Sequence, residues 1–199
     1  MVSGEKSGRR EEVELTNLDQ PLFEGADATK GDLVDYLEAV GDQLLGELRD
    51  RPLSVMRALR GQRPFMQKNL PRYAPPWVQT VTIWAESSKR EVTYALCNDR
   101  PTLLWFANQR AVEYHPTLVR VDPPDRPQTH LVLDLDPPTG APFEGVVRTA
   151  RLVREALAEV ELASAVKTSG AKGVHVFAGR AAGNDGGDRR GDARARRAR

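Results

Sequence analysis

The sequence contains almost no cysteine and no long apolar run. Among its 199 residues the single cysteine is Cys97, which excludes an internal disulfide and a cysteine-rich zinc site and suits a reducing compartment. No apolar stretch approaches the roughly 18 to 20 residues of a membrane span, and the N-terminal MVSGEKSGRREE lacks the apolar region of a signal peptide. These absences predict a cytoplasmic protein with no membrane partner, in which Cys97 is a packing residue.

The chain also has little net charge, with a formal value of +1. Residues 179–199 hold seven arginines and three aspartates, which leaves a net charge of −3 on the remainder. Any contact with nucleic acid must therefore come from local basic clusters or from this tail. Because the tail has no apolar side chain larger than alanine, we expect 179–199 to be disordered, like 1–12, and one domain to occupy 13–178.

The central feature is the stretch HLVLDLDPPTG at 130–140. Its alternating leucines, closed by two prolines, predict a strand that carries Asp134 and Asp136 on one face. Residues i and i+2 of a strand lie about 6.6 to 7 Å apart, so both carboxylates can converge on one divalent cation. Mg²⁺ and Mn²⁺ prefer such oxygens, with phosphates and water completing the shell. The alternative is that both acids only solvate the strand end.

Two helices are predicted in the first half of the chain. Thr29 begins a capping box, and the leucines that follow predict one amphipathic helix of about 18 residues that ends before Pro52. Lys30, in the first turn, suits an anion contact. Asn98 or Asp99 caps a second helix of about 14 residues, which places His115 at its C-terminal end as a dipole partner or a ligand contact.

Residues 51–76 combine basic and aromatic side chains. Cations that contact phosphates, next to rings that stack on bases, are typical of grooves that bind single strands or strand ends. An ordinary solvated basic loop is the alternative. The residues concerned are Arg51, Arg57, Arg60, Arg63, Lys68 and Arg72, with Phe65, Tyr73 and, just beyond the stretch, Trp77.

A turn rich in glycine follows the acids. After a hairpin at 78–96, a helix at 142–160 and β-character at 165–168, the chain reads Ser169-Gly-Ala-Lys172-Gly and then a strand in which His175 points away from two valines. Such a turn can wrap phosphate oxygens, because glycine lets backbone N–H groups approach and lysine adds a charge. It is not a Walker A loop, since both the spacing and the following helix are missing. The alternative is an ordinary hairpin turn.

Four segments together resemble the polymerase domain of bacterial ligase D, in the archaeo-eukaryotic primase superfamily. They are NLPRYAPPWV, VTYALCNDRPTLLWFANQRAVEYH, HLVLDLDPP and KTSGAKGVHVF, in this order within residues 15–177. The resemblance implies an α+β, primase-like fold of mainly antiparallel sheet with flanking helices. It implies a template-dependent nucleotidyltransferase that uses Mn²⁺ or Mg²⁺ and NTP or dNTP at DNA ends in non-homologous end joining. The implied partners are Ku and ligase or nuclease modules.

The resemblance also implies roles for the residues around the acids. Asp134 and Asp136 match the metal-binding, catalytic pair of the family. Ser169, Lys172 and His175 match the contacts to the nucleotide phosphates in its S-G-x-K-G-x-H turn.

Further positions match the family in the first half of the chain. His115 falls where the family has a histidine near the incoming nucleotide. Lys30 matches a lysine that contacts the 5′-phosphate of the downstream strand, and Phe65 and Lys68 match the end-recognition stretch. Gln20 stands where the family has a first phosphate-binding lysine, which predicts a weaker grip on that phosphate.

The family's third metal-binding aspartate has no counterpart in a structured segment. The later acids Asp185, Asp188 and Asp192 lie in the Gly/Arg-rich tail. We therefore expect a C-terminally incomplete domain, through truncation or a shifted reading frame, with a genuine short form as the alternative. The alternative function is a DNA-end and nucleotide-binding protein with little or no turnover. A phosphatase or glycosyltransferase of the D-x-D type is disfavoured because Asp136 is followed by Pro-Pro-Thr and few residues remain.

Overall fold

The computed structural model describes residues 8–10, 12–86, 89–121 and 128–179. The chain divides into two compact units, 1–127 and 128–199, which are described separately. The predicted disorder at 1–12 and 179–199 falls mostly outside the described residues, although Gly8–Arg10 forms a short strand and Gly179 ends another. No helix of the described segments is long and apolar enough to cross a bilayer.

The first unit combines three helices with antiparallel strands. The short strands β1 and β2 pair with each other, and β3 pairs with β4, β6 and β7. Because β7 runs along the whole of β3, strands β4 and β6 divide the other edge of β3, and β5 pairs with β6. The elements are β1 Gly8–Arg10, β2 Val13–Leu15, α1 Lys30–Ala39, α2 Gly41–Leu48, β3 Pro52–Arg57, β4 Phe65–Gln67, β5 Thr80–Ala85, β6 Arg90–Leu96, α3 Arg100–Asn108 and β7 Ala111–Pro116.

The helix predicted to follow Thr29 is two helices. The capping box is confirmed, since Thr29 Oγ1 accepts from the Asp32 N–H and the Asp32 carboxylate accepts from the Thr29 N–H at 2.7 Å. The helix breaks at Val40, which is the C-cap of α1 and the N-cap of α2. At this break Arg100 supplies hydrogen bonds from a distant part of the chain. The Arg100 guanidinium donates to the Glu38 carbonyl at 3.1 Å and to the Asp42 carboxylate at 2.8 Å. A partner distant in sequence thus divides a pattern that is continuous in the sequence.

The prediction that α3 extends to His115 is wrong. The helix is capped by Asp99 as predicted, but it ends at Asn108, and Arg110 turns the chain with a φ of +62°. The chain then pairs with β3 as strand β7, in which His115 lies opposite Ser54.

The core of the first unit surrounds α3. Five consecutive apolar side chains of this helix are buried, as is Thr102 just before them, which marks it as a central helix rather than a surface one. Cys97 packs there with no exposed surface, and burial raises the pKa of its thiol far above the ordinary value. Its predicted role as a packing residue is confirmed. The five helix residues are Leu103, Leu104, Trp105, Phe106 and Ala107.

The second unit is a three-stranded antiparallel sheet with one helix. Its elements are β8 His130–Leu135, α4 Phe143–Glu159, β9 Ala163–Thr168 and β10 Val174–Gly179. Strand β10 lies between β8 and β9, so those two run parallel to each other on either side of it. The core is small, since its cluster among the described residues buries three side chains, Leu157, Val176 and Ala178. This topology brings the end of β8 beside the start of β10.

Candidate active site

Four polar side chains meet where β8 ends and β10 begins: two carboxylates, a lysine and a histidine. Asp134 lies opposite His175 in the register of the two strands, with 3.5 Å between Asp134 Oδ1 and His175 Nε2. Asp136 is the first residue past β8, and its Oδ2 lies 3.7 Å from Lys172 Nζ. Both distances exceed that of a good hydrogen bond. The carboxylates are 65% and 49% exposed, so neither is held tightly by its neighbour and both can reach a ligand.

The turn before β10 is closed by Ser169. The Ser169 N–H donates to the Gly173 carbonyl at 2.9 Å, and its Oγ accepts from the N–H groups of Gly173 and Ala171 at 3.1 and 3.4 Å. Gly170 holds a φ of +87°, a conformation that residues with a Cβ rarely adopt. The Ser169 hydroxyl therefore shapes the turn that presents Lys172, and its contact with a nucleotide phosphate stays a prediction.

Gly173 is a site residue that the sequence reasoning did not assign. A Cβ at this position would lie 2.3 Å from both Asp136 Oδ1 and the Leu135 carbonyl oxygen. Only glycine lets β10 come this close to the end of β8, and this approach places Lys172 beside Asp136. The signal for this residue in the sequence is the second glycine of the turn. The sequence alone indicates a glycine that lets phosphate approach, whereas the structure shows one that lets two strands pack closely.

The donor set suits a hard divalent cation bound together with a nucleotide. Asp134 and Asp136 supply carboxylate oxygens, and such sites take most of their remaining ligands from phosphates and water. In the described part of the chain, no group of three or more His, Cys, Asp or Glu side chains could hold a metal ion. Asp185, Asp188 and Asp192 lie outside the described residues.

In the first unit, His115 and Lys30 have protein partners. His115 is exposed on β7, with its Nε2 2.9 Å from Glu113 Oε2. Lys30 is only 4% exposed, and its Nζ donates to the Thr16 carbonyl at 2.5 Å. Burial, with a smaller contribution from Arg110, lowers the pKa of Lys30 to about 8. The predicted 5′-phosphate contact would thus require this ammonium to leave a largely buried position.

The basic stretch at 51–76 divides into buried and exposed cations. Arg57 is buried, and it donates to the Gln109 carbonyl at 2.8 Å, to Gln67 Oε1 at 2.7 Å and to the Tyr73 hydroxyl at 2.9 Å. Arg51 is buried as well, so the interpretation of both as surface cations is wrong. Phe65 remains 38% exposed, with the Arg57 guanidinium carbon 5.8 Å from its ring centre.

The exposed part of this stretch contains both cations and aromatic rings. Lys68 follows β4 and is exposed. The other exposed members of the stretch are Arg60, Arg63, Arg72 and Tyr73, and Trp77 just beyond it is exposed as well.

Comparison with known proteins identifies the family. A family model described as the LigD primase-polymerase domain matches residues 29–195. The chain belongs to this family. The resemblance stated from the four sequence segments is therefore confirmed, and the match extends beyond residue 177, where the resemblance ended. Polymerase domains of this family are generally metal-dependent.

Relatives of LigD type come from several bacteria. The chain is 35% identical over 180 residues to the multifunctional non-homologous end joining DNA repair protein LigD of Mycobacterium tuberculosis strain H37Rv, covering 86% of this chain and 24% of that protein. It is 35% identical over 167 residues to the bifunctional non-homologous end joining protein LigD of Bacillus subtilis, covering 83% and 26%. The chain thus spans about a quarter of the length of these curated relatives.

A solved structure confirms the fold. The polymerase domain of Mycobacterium tuberculosis ligase D, in complex with DNA, matches with a TM-score of 0.78 and 34% identity, over 85% of this chain and 62% of that one. The α+β, primase-like fold with mainly antiparallel sheet and flanking helices is therefore confirmed.

Proposed function

We propose that this chain adds nucleotides to DNA ends under the direction of a template strand, as part of non-homologous end joining. The observation that carries the proposal is the cluster at the β8–β10 end, where two exposed carboxylates lie beside a lysine and a histidine. Membership of the LigD primase-polymerase family supports the same chemistry. The substrates are a nucleoside triphosphate and a DNA end that bears a 5′-phosphate, and Ku and ligase or nuclease modules are the partners.

Asp134 and Asp136 are the proposed ligands of Mn²⁺ or Mg²⁺ and the catalytic acids. A divalent ion there would neutralise the triphosphate and favour ionisation of the 3′-hydroxyl that attacks the α-phosphate. Lys172 and His175 lie close enough to these carboxylates to contact phosphate oxygens held at the same ion. When a triphosphate binds, Lys172 and His175 exchange their distant carboxylate partners for phosphate oxygens, which carry more negative charge.

Residues of the first unit serve the DNA and the incoming nucleotide in this proposal. Phe65 offers an exposed ring for stacking and Lys68 an exposed ammonium for phosphate. His115 is exposed on β7 and can donate to the nucleotide once Glu113 releases it. Lys30 would contact the 5′-phosphate, and Ser169 would contribute to the nucleotide site through the turn that it closes.

The test compares Asp134→Asn, Asp136→Asn and Lys172→Ala with Glu155→Gln, which removes an exposed carboxylate from α4 of the same unit. Calorimetry measures triphosphate binding with Mn²⁺, and gel assays measure addition of one templated nucleotide to a recessed end. The two aspartate variants should lose metal-dependent binding, and Lys172→Ala should weaken it by about 10- to 150-fold, as expected for one charge-assisted contact. Equal binding in all four variants would refute the site.

A second function, binding of DNA ends and nucleotides without turnover, is favoured by one observation. Among the described residues, no third carboxylate joins Asp134 and Asp136 in a group that could hold a metal ion. The same assays separate the two functions. Metal-dependent triphosphate binding without nucleotide addition supports the second function, whereas addition that is lost in Asp134→Asn supports the first.

A further inference from the structure

A basic groove in the first unit has no role in the function proposed so far. It has a volume of about 820 Å³, which is within the range of pockets that hold small-molecule ligands. Residues 21–26 and 58–64 form its walls, and Arg110 also lines it. None of Lys30, Phe65 and Lys68 lines this groove.

Arg110 is a buried cation whose charge has no carboxylate partner in the described part of the chain. The side chain is 6% exposed, and it donates to the carbonyls of Ala58, Pro21 and Leu22 at 2.6, 2.7 and 2.8 Å. Its Nη1 is buried and finds no hydrogen-bond partner among the residues that the structure describes. Within the described residues, no carboxylate oxygen lies within 4 Å of its nitrogens. A buried guanidinium of this kind is stabilised by an anion.

Two further arginines add to this charge. Arg60 and Arg63 line the groove, both are exposed, and neither forms an ion pair in the described part of the chain. Burial lowers the pKa of Arg110, and the positive charge of Arg60 lowers it further. Glu24 is the acid among the lining residues, so three positive charges face one negative charge.

We propose that this groove binds a phosphate group of a nucleic-acid strand, between the guanidinium groups of Arg60 and Arg63 and above Arg110. Arginine suits phosphate because its planar fork donates two parallel hydrogen bonds. Phe23 lines the groove and is 43% exposed, which gives the sugar or base of the same strand an apolar contact. The choice of nucleic acid rests on the proposed function, and the groove extends the DNA contacts of Phe65 and Lys68 to a second surface.

The phosphate has two possible sources in a nucleic acid, a strand terminus and the backbone. The test uses the full chain, with Arg60→Gln/Arg63→Gln as the variant, because Arg110 binds both walls of the groove and its replacement would disturb them. Arg148→Gln/Arg154→Gln is the matched control, since it removes two exposed arginines from α4. Fluorescence anisotropy measures binding of recessed duplexes with a 5′-phosphate or a 5′-hydroxyl, in EDTA.

The groove variant should bind DNA about tenfold more weakly than wild type near 50 mM salt, and the slope of log affinity against log salt should fall by about one per lost phosphate contact. Loss of the preference for the 5′-phosphate would identify a terminal phosphate as the ligand, and an equal loss for both duplexes a backbone phosphate.

The proposed phosphate site would be overturned if the affinity and the salt slope of Arg60→Gln/Arg63→Gln changed no more than those of the Arg148→Gln/Arg154→Gln control. It would also be overturned if the wild type bound neither duplex. Since EDTA removes the metal that triphosphate binding needs, failure here is distinguishable from failure at Asp134 and Asp136.

Discussion

The two units use their charged side chains in opposite ways. In the first unit, Arg57 and Arg110 are buried and donate to backbone carbonyls, so their charges hold strands and loops in place. In the second unit, Lys172 and Asp136 are about half exposed and lie 3.7 Å apart, a spacing that constrains neither side chain. A charge such as Arg57, whose nitrogens all donate to protein acceptors, stabilises the fold, whereas one that is loosely paired is available to a ligand.

The hydrophobic core of the first unit is also larger than that of the second. The first unit buries a large cluster around α3, whereas the second buries three residues in its cluster and leaves Leu152, Val160 and Val166 more than 60% exposed. A small core contributes little stabilisation against the entropy of the chain. A substitution at the active site can therefore also unfold the second unit, so each binding measurement there needs a check of folding.

The largest expected effect comes from the contact that brings β10 to β8. Gly173→Ala places a Cβ 2.3 Å from Asp136 Oδ1 and the Leu135 carbonyl, so the turn and the acids must move apart. A displacement of about 1 Å can cost about 100-fold in rate, and we expect at least that loss in nucleotide addition. Gly145→Ala is the control, because it lies in α4 with open space around it. Retained activity in Gly173→Ala would show that the two strands need not approach this closely.

A pH series tests whether the buried cation of α1 strains the first unit. Lys30 has a folded pKa of about 8, against 10.5 for an ordinary lysine. Between these values the unfolded chain holds a proton that the folded chain has lost, so stability rises with pH. The free energy of unfolding of wild type should increase relative to Lys30→Met by up to about 3 kcal/mol from pH 8 to 10.5. Urea titrations check this, and parallel curves would contradict the buried position of the ammonium.

Removal of a buried guanidinium should destabilise the first unit more than removal of an exposed one. Arg57→Met keeps an apolar side chain of similar length but leaves the Gln109 carbonyl and Gln67 Oε1 without their donors. We expect the free energy of unfolding to fall by about 2 kcal/mol. Arg72→Met, at an exposed position of the same stretch, should stay within about 0.5 kcal/mol. Equal urea midpoints would show that water replaces the Arg57 contacts at no cost.

The smallest effect is expected at the helix cap. Thr29→Ala removes the hydroxyl that accepts from the Asp32 N–H at 3.2 Å and should lower the free energy of unfolding by about 1 kcal/mol. Thr149→Ala in the second unit deletes a hydroxyl that bonds back to the Gly145 carbonyl within α4, and it should be nearly neutral. Urea titrations of both variants measure these free energies. A larger loss of stability in Thr149→Ala than in Thr29→Ala would contradict the prediction.

Much of the second unit was predictable because its signals are local. The alternation around Asp134, the amphipathic pattern of α4 and the glycine turn each depend on neighbouring residues, and the structure has a strand, a helix and a turn in those places. The pairing of Asp134 with His175 was not predictable to the residue, because register depends on which strands become neighbours. The predicted ligand roles of these residues stay predictions.

The sequence by itself determined the family, the cap at Thr29 and the central place of the two acids, since these depend on residue identity and short spacing. Tertiary structure decided the break at Val40, the end of α3 and the burial of Arg57 and Arg110. In each of these cases a side chain meets backbone carbonyls far away in the sequence. Helical periodicity continues through such points because it records only which face is apolar, whereas a competing hydrogen bond from a distant segment decides where the helix stops.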